Sequence, residues 1–241
     1  MERIDDYLAK LNIEGERKVW LGNHPKIEYV FNQSKKYLKP GMTVCEVGVG
    51  DGHLLRLASR SGFKVTGIDI SGYLVQKLAK FFQGEGIEVS LLQHDISQPI
   101  DDFENSFGAI FALDLLEHVE ALQKAIENIV KLLKQNGLLI ATLPWKENFA
   151  DNMVICPFCH RSFHRVGHAH SFHSYHEITE MLGQSFQIAD FGFIPPQGLK
   201  NKGVDILKKT IFRRKYYKDG LPNFQTTCFF TARCSKRVNG R

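Results

Sequence analysis

Between Met42 and Trp145, short apolar runs alternate with helical patterns, and this alternation restricts the fold more than any other feature. "MTVCEVGVG" (42–50), "KVTGIDI" (64–70), "IEVSLLQHD" (87–95), "FGAIFALD" (107–114) and "LLIATLPW" (138–145) read as strands. "GHLLRLASRS" (52–61), "SGYLVQKLAKFF" (71–82) and "EALQKAIENIVKLLKQNG" (120–137) read as helices, with Ser71 as an N-cap and Gly137 as a stop. Ile27, Val30, Phe31, Tyr37 and Leu38 give residues 25–38 a helical spacing too, ended by "KPG" at 39–41. Strands that are apolar throughout need cover on both faces, and helical crossovers make consecutive strands parallel.

The alternation breaks after Trp145 and resumes with a helix at 174–184 and strands at 186–194 and 224–234. The expectation is one α/β domain over 1–241: a Rossmann-like, seven-stranded, mostly parallel sheet with helices on both faces. Two insertions, 146–173 and 195–222, are the candidate functional loops.

An apolar content of 43% and a charged content of 24% exclude a disordered chain. No apolar run is long enough to cross a bilayer. The first residues, "MERIDDYLAK", carry acids and no apolar core, unlike an export signal. A cytoplasmic protein with reduced cysteines is expected, and there a CxxC reads as metal-binding or redox-active. The net charge is +5, and residues 200–218 carry eight Lys/Arg against one acid. That stretch is either a solvated face or an attraction to phosphate or acidic partners.

The first strand runs into "CEVGVGDG", Cys45 to Gly52. Glycines at a strand-to-helix turn let a ligand approach the backbone, and the helix start offers unpaired N–H groups. A dinucleotide fingerprint needs glycine at position 53, where His53 stands. The GxGxG pattern, with Glu46 two residues ahead, resembles the first motif of class I S-adenosylmethionine-dependent methyltransferases. The resemblance continues through "GIDIS", "HDI" and "FALDLLEHVE" and spans about residues 40–144. It implies cofactor contacts from Glu46, Gly48, Gly50 and Gly52 and from Asp69 and Ile70 at the ribose. It also implies Asp95 and Ile96 at the adenine, and Asp114 with Leu115 at the methionine moiety.

Methyl transfer needs an acceptor aligned opposite the sulfonium, with a general base helping a hydroxyl or amine. The candidate bases are Asp114, His118, His170 and His173. Asp114 reads better as a cofactor residue and His118 as a helix cap. Trp145 is a candidate wall of the acceptor pocket.

Within 156–176 lie six of the ten histidines. Cys156-x2-Cys159-x4-His164-x3-His168 has the spacing of a tetrahedral zinc site, structural because no position stays open. His160, His170 and His173 compete for the histidine positions. Phe158, Phe163 and Phe172 would form a small core under the metal. A redox CxxC is the rival reading, but it lacks a following helix.

Three functions follow. The first is methyl transfer to an oxygen or nitrogen of a small-molecule or glycan-like acceptor, beneath a zinc-clamped lid. The second is an RNA- or protein-directed methyltransferase that uses the 200–218 stretch, where "FRRKYY" places bases beside aromatics. The [D/N]PP[Y/F] signature common among nucleic-acid amino-methyltransferases is missing from the fourth strand, which weighs against it. The third is a non-enzymatic S-adenosylmethionine-binding scaffold.

Overall fold

The structure is a computed structural model that describes residues 24–194 and 226–235. Seven strands form one sheet: β1 Thr43–Val47, β2 Lys64–Asp69, β3 Ser90–Gln93, β4 Phe107–Leu113, β5 Leu133–Trp145, β8 Phe186–Phe193 and β9 Thr226–Cys234. Their order is β3-β2-β1-β4-β5-β9-β8, and only β9 runs antiparallel to its neighbours. The expected mostly parallel seven-stranded sheet is therefore present.

Period-two alternation along the strands divides the core in two. Ala109, Phe111, Leu138 and Ile140 face one side, with α1 (Pro25–Ser34), α2 (His53–Arg60) and α3 (Gly72–Gly84). Ile110, Ala112, Leu139 and Ala141 face the other, with α4 (Leu122–Leu132) and α5 (Tyr175–Leu182). From the expected set α1 buries Val30 and Phe31, and α2 buries Leu54, Leu55 and Ala58 along one face. Ser71 caps α3 as expected: its hydroxyl accepts the Leu74 N–H at 3.2 Å.

Three boundaries differ from the sequence reading, the first being the helix expected over 25–38, which ends at Ser34. The helix expected over 120–137 ends at Leu132, because Leu133 already pairs with Phe107 and opens β5. Asn136 takes a positive φ of 59° and Gly137 lies tight against Lys134, so the turn falls inside the strand rather than at a helix end. The third strand is also shorter, Ser90–Gln93 rather than 87–95.

Segment 146–173 leaves the C-terminal end of β5. It forms a short 3-10 turn, Phe149–Asn152, and a two-stranded hairpin of β6 (Met153–Ile155) and β7 (Ser162–His164). It returns to the sheet at Phe172, which is buried and bridges Trp145. The 195–222 insertion, the 200–218 basic stretch within it, and residues 1–23 lie outside the described residues.

Candidate functional site

The chain must turn sharply where β1 meets α2, and three glycines allow it. Gly48, Gly50 and Gly52 have φ of 75°, 49° and 77°, the left-handed region. Their roles differ. A Cβ on Gly48 would lie 2.9 Å from Leu115 Cδ1, and one on Gly52 would lie 2.7 Å from Leu78 Cδ2. A Cβ on Gly50 would meet nothing within 4 Å among the described residues, which leaves that backbone open to a ligand on their side. The turn is tied down from β2. Asp69 accepts the Val49 N–H at 2.9 Å on one carboxylate oxygen and the Ser71 N–H at 2.9 Å on the other.

A cavity of about 90 Å³ opens beside the turn. Its lining includes Glu46, Gly48, Gly50 and Asp114, together with Lys26 and Thr142. Gly52, Asp69, Ile70, Asp95 and Ile96 do not line it. Asp95 caps the following turn by accepting from Ser97 N and Oγ, and Ile96 is a buried core residue. Asp114 holds a positive φ of 49°, and its Oδ1 accepts the Thr142 hydroxyl at 2.8 Å. Its Oδ2 pairs with Lys26.

Glu46 is buried beneath the turn with Oε2 unpartnered. Burial, followed by the Asp51 and Asp69 carboxylates, pushes its pKa well above the usual range, against the Leu55 N–H. Lys26, and His24 paired to Asp51 at 2.8 Å, close the site from α1. No motif in the sequence marked either residue, because both lie upstream of the glycine turn.

The four residues expected to hold zinc do not converge. Cys156 and Cys159 sit at the hairpin tip, where the Cys159 and Phe158 backbone N–H groups lower the Cys156 pKa. His164 and His168 stack at 4.6 Å farther down, since β7 places His164 opposite Met153. Among the described residues, two groups bring three or more metal-ligating side chains within 4.8 Å, and neither contains a cysteine. They are Glu117, His118 and His168, and Glu147, His164 and His168. The structural zinc set Cys156, Cys159, His164 and His168 is thereby corrected. The spacing was suitable, but a hairpin carries its tip away from its base.

The expected aromatic core under the metal is likewise absent: Phe158 is 92% exposed and Phe163 49% exposed, and only Phe172 is buried. His118 does not cap α4; its Nδ1 lies 3.3 Å from the Gly167 carbonyl. Burial, then His168, lowers its pKa. His170 is engaged as well, its Nε2 donating to the Val119 carbonyl at 2.9 Å. The sequence reading missed Glu117 and Glu147. Glu117 is fully buried, and burial followed by Asp114 pushes its pKa up to about 8. Glu147 stood two residues past Trp145 without a spacing partner.

Trp145 lines a second, open concavity of about 780 Å³, with Lys146, His173, Tyr175, Asp190 and Phe191. Its ring packs edge-on against Phe191 and Phe193.

Residues 45–141 match the family model described as a methyltransferase domain. The chain is 29% identical over 122 residues to the ubiquinone biosynthesis O-methyltransferase of Rickettsia typhi, covering 49% of this chain and 48% of that protein. It is 32% identical over 122 residues to the ribosomal protein L11 methyltransferase of Dictyoglomus turgidum, covering 50% and 39%. The chain thus spans about half or less of the length of these curated relatives. One solved structure, of the Haloferax volcanii Trm112 methyltransferase activator in complex with the putative methyltransferase, matches with a TM-score of 0.66 at 14% identity. That match covers 98% of this chain and 100% of the other. The chain therefore has the fold that methyltransferases share and carries, over residues 45–141, a sequence match to the methyltransferase domain.

Proposed function

We propose that the protein transfers the methyl group of S-adenosylmethionine to an oxygen or nitrogen of a small-molecule or glycan-like acceptor. The observation that carries this reading is one cavity at which the glycine turn after β1 and Asp114 after β4 meet. The open backbone at Gly50 fits close approach by a ligand, and the cavity's size fits the methionine end of the cofactor alone.

Lys26 and Asp114, paired to each other in the cavity wall, would hold that zwitterionic end, Lys26 its carboxylate and Asp114 its ammonium. Asp69 holds the turn in shape, and it is the carboxylate that the resemblance assigns to the ribose hydroxyls. Asp95, with Ile96, lies farther along toward the base. The bound sulfonium supplies an electrophilic methyl group. The chain's contribution is to orient the acceptor and exclude water. The concavity beside Trp145 has the size of a small-molecule pocket, and the two ends of segment 146–173, Lys146 and His173, line it. Of the four candidate bases only His173 lines it, with its Nε2 2.9 Å from the Ser171 hydroxyl; His170 is held by the Val119 carbonyl and His118 by the Gly167 carbonyl, and Asp114 is assigned to the cofactor.

Calorimetry with S-adenosylhomocysteine tests the reading. Micromolar binding that Asp69→Ala abolishes and Lys26→Ala weakens about tenfold, the loss of one charged hydrogen bond, supports it. Unchanged affinity in Asp69→Ala would falsify the assignment, and no binding by the wild type would overturn the methyltransferase reading and the S-adenosylmethionine-binding scaffold reading together.

The ribosomal-protein methyltransferase relative and the 200–218 basic stretch favour a second reading, an RNA- or protein-directed enzyme. RNA binding that falls steeply with salt would select it.

A further inference from the structure

We propose that Glu117, His118 and His168 form a binding site for a divalent transition-metal ion, separate from the cofactor cavity. Ligand atoms of the three lie within 4.8 Å of one another, and none of them lines the cavity beside the glycine turn.

Two elements meet here. The 3-10 turn Leu116–His118 follows β4, and segment 146–173 folds back over it. The Glu117 carbonyl accepts the N–H groups of Ala169 at 2.7 Å and His170 at 3.1 Å. That clasp sets the His168 ring 4.7 Å from the His118 ring, edge to face.

Each imidazole is oriented by a partner at its other nitrogen. His168 Nδ1 lies 2.5 Å from Glu147 Oε2, and His118 Nδ1 lies 3.3 Å from the Gly167 carbonyl oxygen. A carboxylate and a carbonyl only accept, so both protons sit on Nδ1 and both Nε2 lone pairs remain for an ion. The third member, Glu117, is fully buried, and among the described residues neither of its carboxylate oxygens has a hydrogen-bond partner. A buried carboxylate left unpaired is costly, and a cation supplies the missing partner.

The neighbouring group, Glu147 with His164 and His168, fits an ion less well. Glu147 already accepts from Asn152 Nδ2 at 2.8 Å and from His168. His164 Nδ1 accepts the His168 backbone N–H at 3.1 Å, which puts its proton on Nε2, the atom facing Glu147. Glu147 is thus a positioning residue for His168.

Two imidazoles and one carboxylate suit Mn²⁺, Fe²⁺, Co²⁺ or Zn²⁺ and leave coordination positions for water or an acceptor oxygen.

The test is calorimetric titration of the full chain, stripped by a chelator, with Mn²⁺ and Zn²⁺ alone, with manganese paramagnetic resonance as a second readout. One ion per chain is expected. Glu117→Gln, which keeps the volume and the fold, and His168→Ala should each weaken binding more than 100-fold. Glu147→Gln should weaken it 10- to 100-fold by freeing the ring. Circular dichroism confirms that each variant is folded. The Cys156→Ser, Cys159→Ser double variant should bind as the wild type does.

No stoichiometric binding by the wild type, or unchanged binding in folded Glu117→Gln, would overturn the proposal. So would loss of binding in the cysteine variant. S-Adenosylhomocysteine binding by the stripped chain is titrated separately, so a failed metal site and a failed methyltransferase reading give different results.

Discussion

The Gly48–Gly52 turn and segment 146–173 both emerge at the C-terminal end of the parallel strands, but they are held in opposite ways. The turn is shaped by its own backbone: three positive-φ glycines, with Gly48 N–H donating to the Ile68 carbonyl at 2.8 Å and Val49 N–H to Asp69. Segment 146–173 is shaped from outside, through the clasp on Glu117, the buried Glu147 and the bridge from Phe172 to Trp145. A region defined by backbone conformation tolerates no change at the positions that define it. A region docked on the rest of the fold at a few points tolerates change everywhere except at those anchors.

The largest expected effect falls on the turn. Gly52→Ala forces a side chain into the left-handed region and a Cβ to 2.7 Å from Leu78. The strain and the overpacking together cost about 2–5 kcal/mol, read as a lower denaturant midpoint. A loss below about 1 kcal/mol would mean that the turn relaxes freely, and the contrast would fail.

An anchor of the docked segment comes next. His170→Ala removes the bond to Val119 and should cost about 1 kcal/mol, with hydrogen exchange quickening over 164–173 and not over 45–55. Spread of that quickening into the turn would show the two regions to be coupled.

Glu46→Gln gives a smaller and pH-dependent effect. In the cofactor-free protein the folded pKa of Glu46 is raised, so the folded state binds more protons than the unfolded one. Stability should then fall as pH rises from the ordinary carboxylate range, near 4.5, through the raised value. Replacing Glu46 by Gln should flatten that slope, with a gain on the order of 1 kcal/mol at neutral pH. Equal slopes in wild type and variant, measured as thermal midpoints between pH 5 and 8, would place the burial penalty elsewhere.

The smallest effect is expected at the hairpin tip. Cys156→Ser with Cys159→Ser touches no buried contact and should stay within about 0.5 kcal/mol. A drop of several kcal/mol would restore a structural metal at the thiols.

The same division decided what could be read ahead. Ser71, the apolar face of α1, and the strands from β1 to β5 were legible because propensity, capping and periodicity act over a few neighbouring residues. The glycine turn was legible for the same reason. Cys156, Cys159, His164 and His168 also looked local, and there spacing misled. Spacing limits which residues can meet, but a two-stranded hairpin separates its tip from its base. Lys26, Glu117 and Glu147 carried no pattern at all, because their partners are 88, 51 and 21 residues away: Asp114, His168 and His168.

What the sequence alone determined is a seven-stranded α/β sheet with a glycine turn after its first strand. Those properties follow from backbone conformation and from period-two and 3.6-residue burial. Tertiary structure decided which titratable groups share a site. Packing segment 146–173 on the turn after β4 puts Glu117 against His118 and His168 and leaves the cysteines at the surface. That outcome depends on long-range contacts whose chain-closure cost grows only slowly with separation, so proximity in sequence carries little information about them.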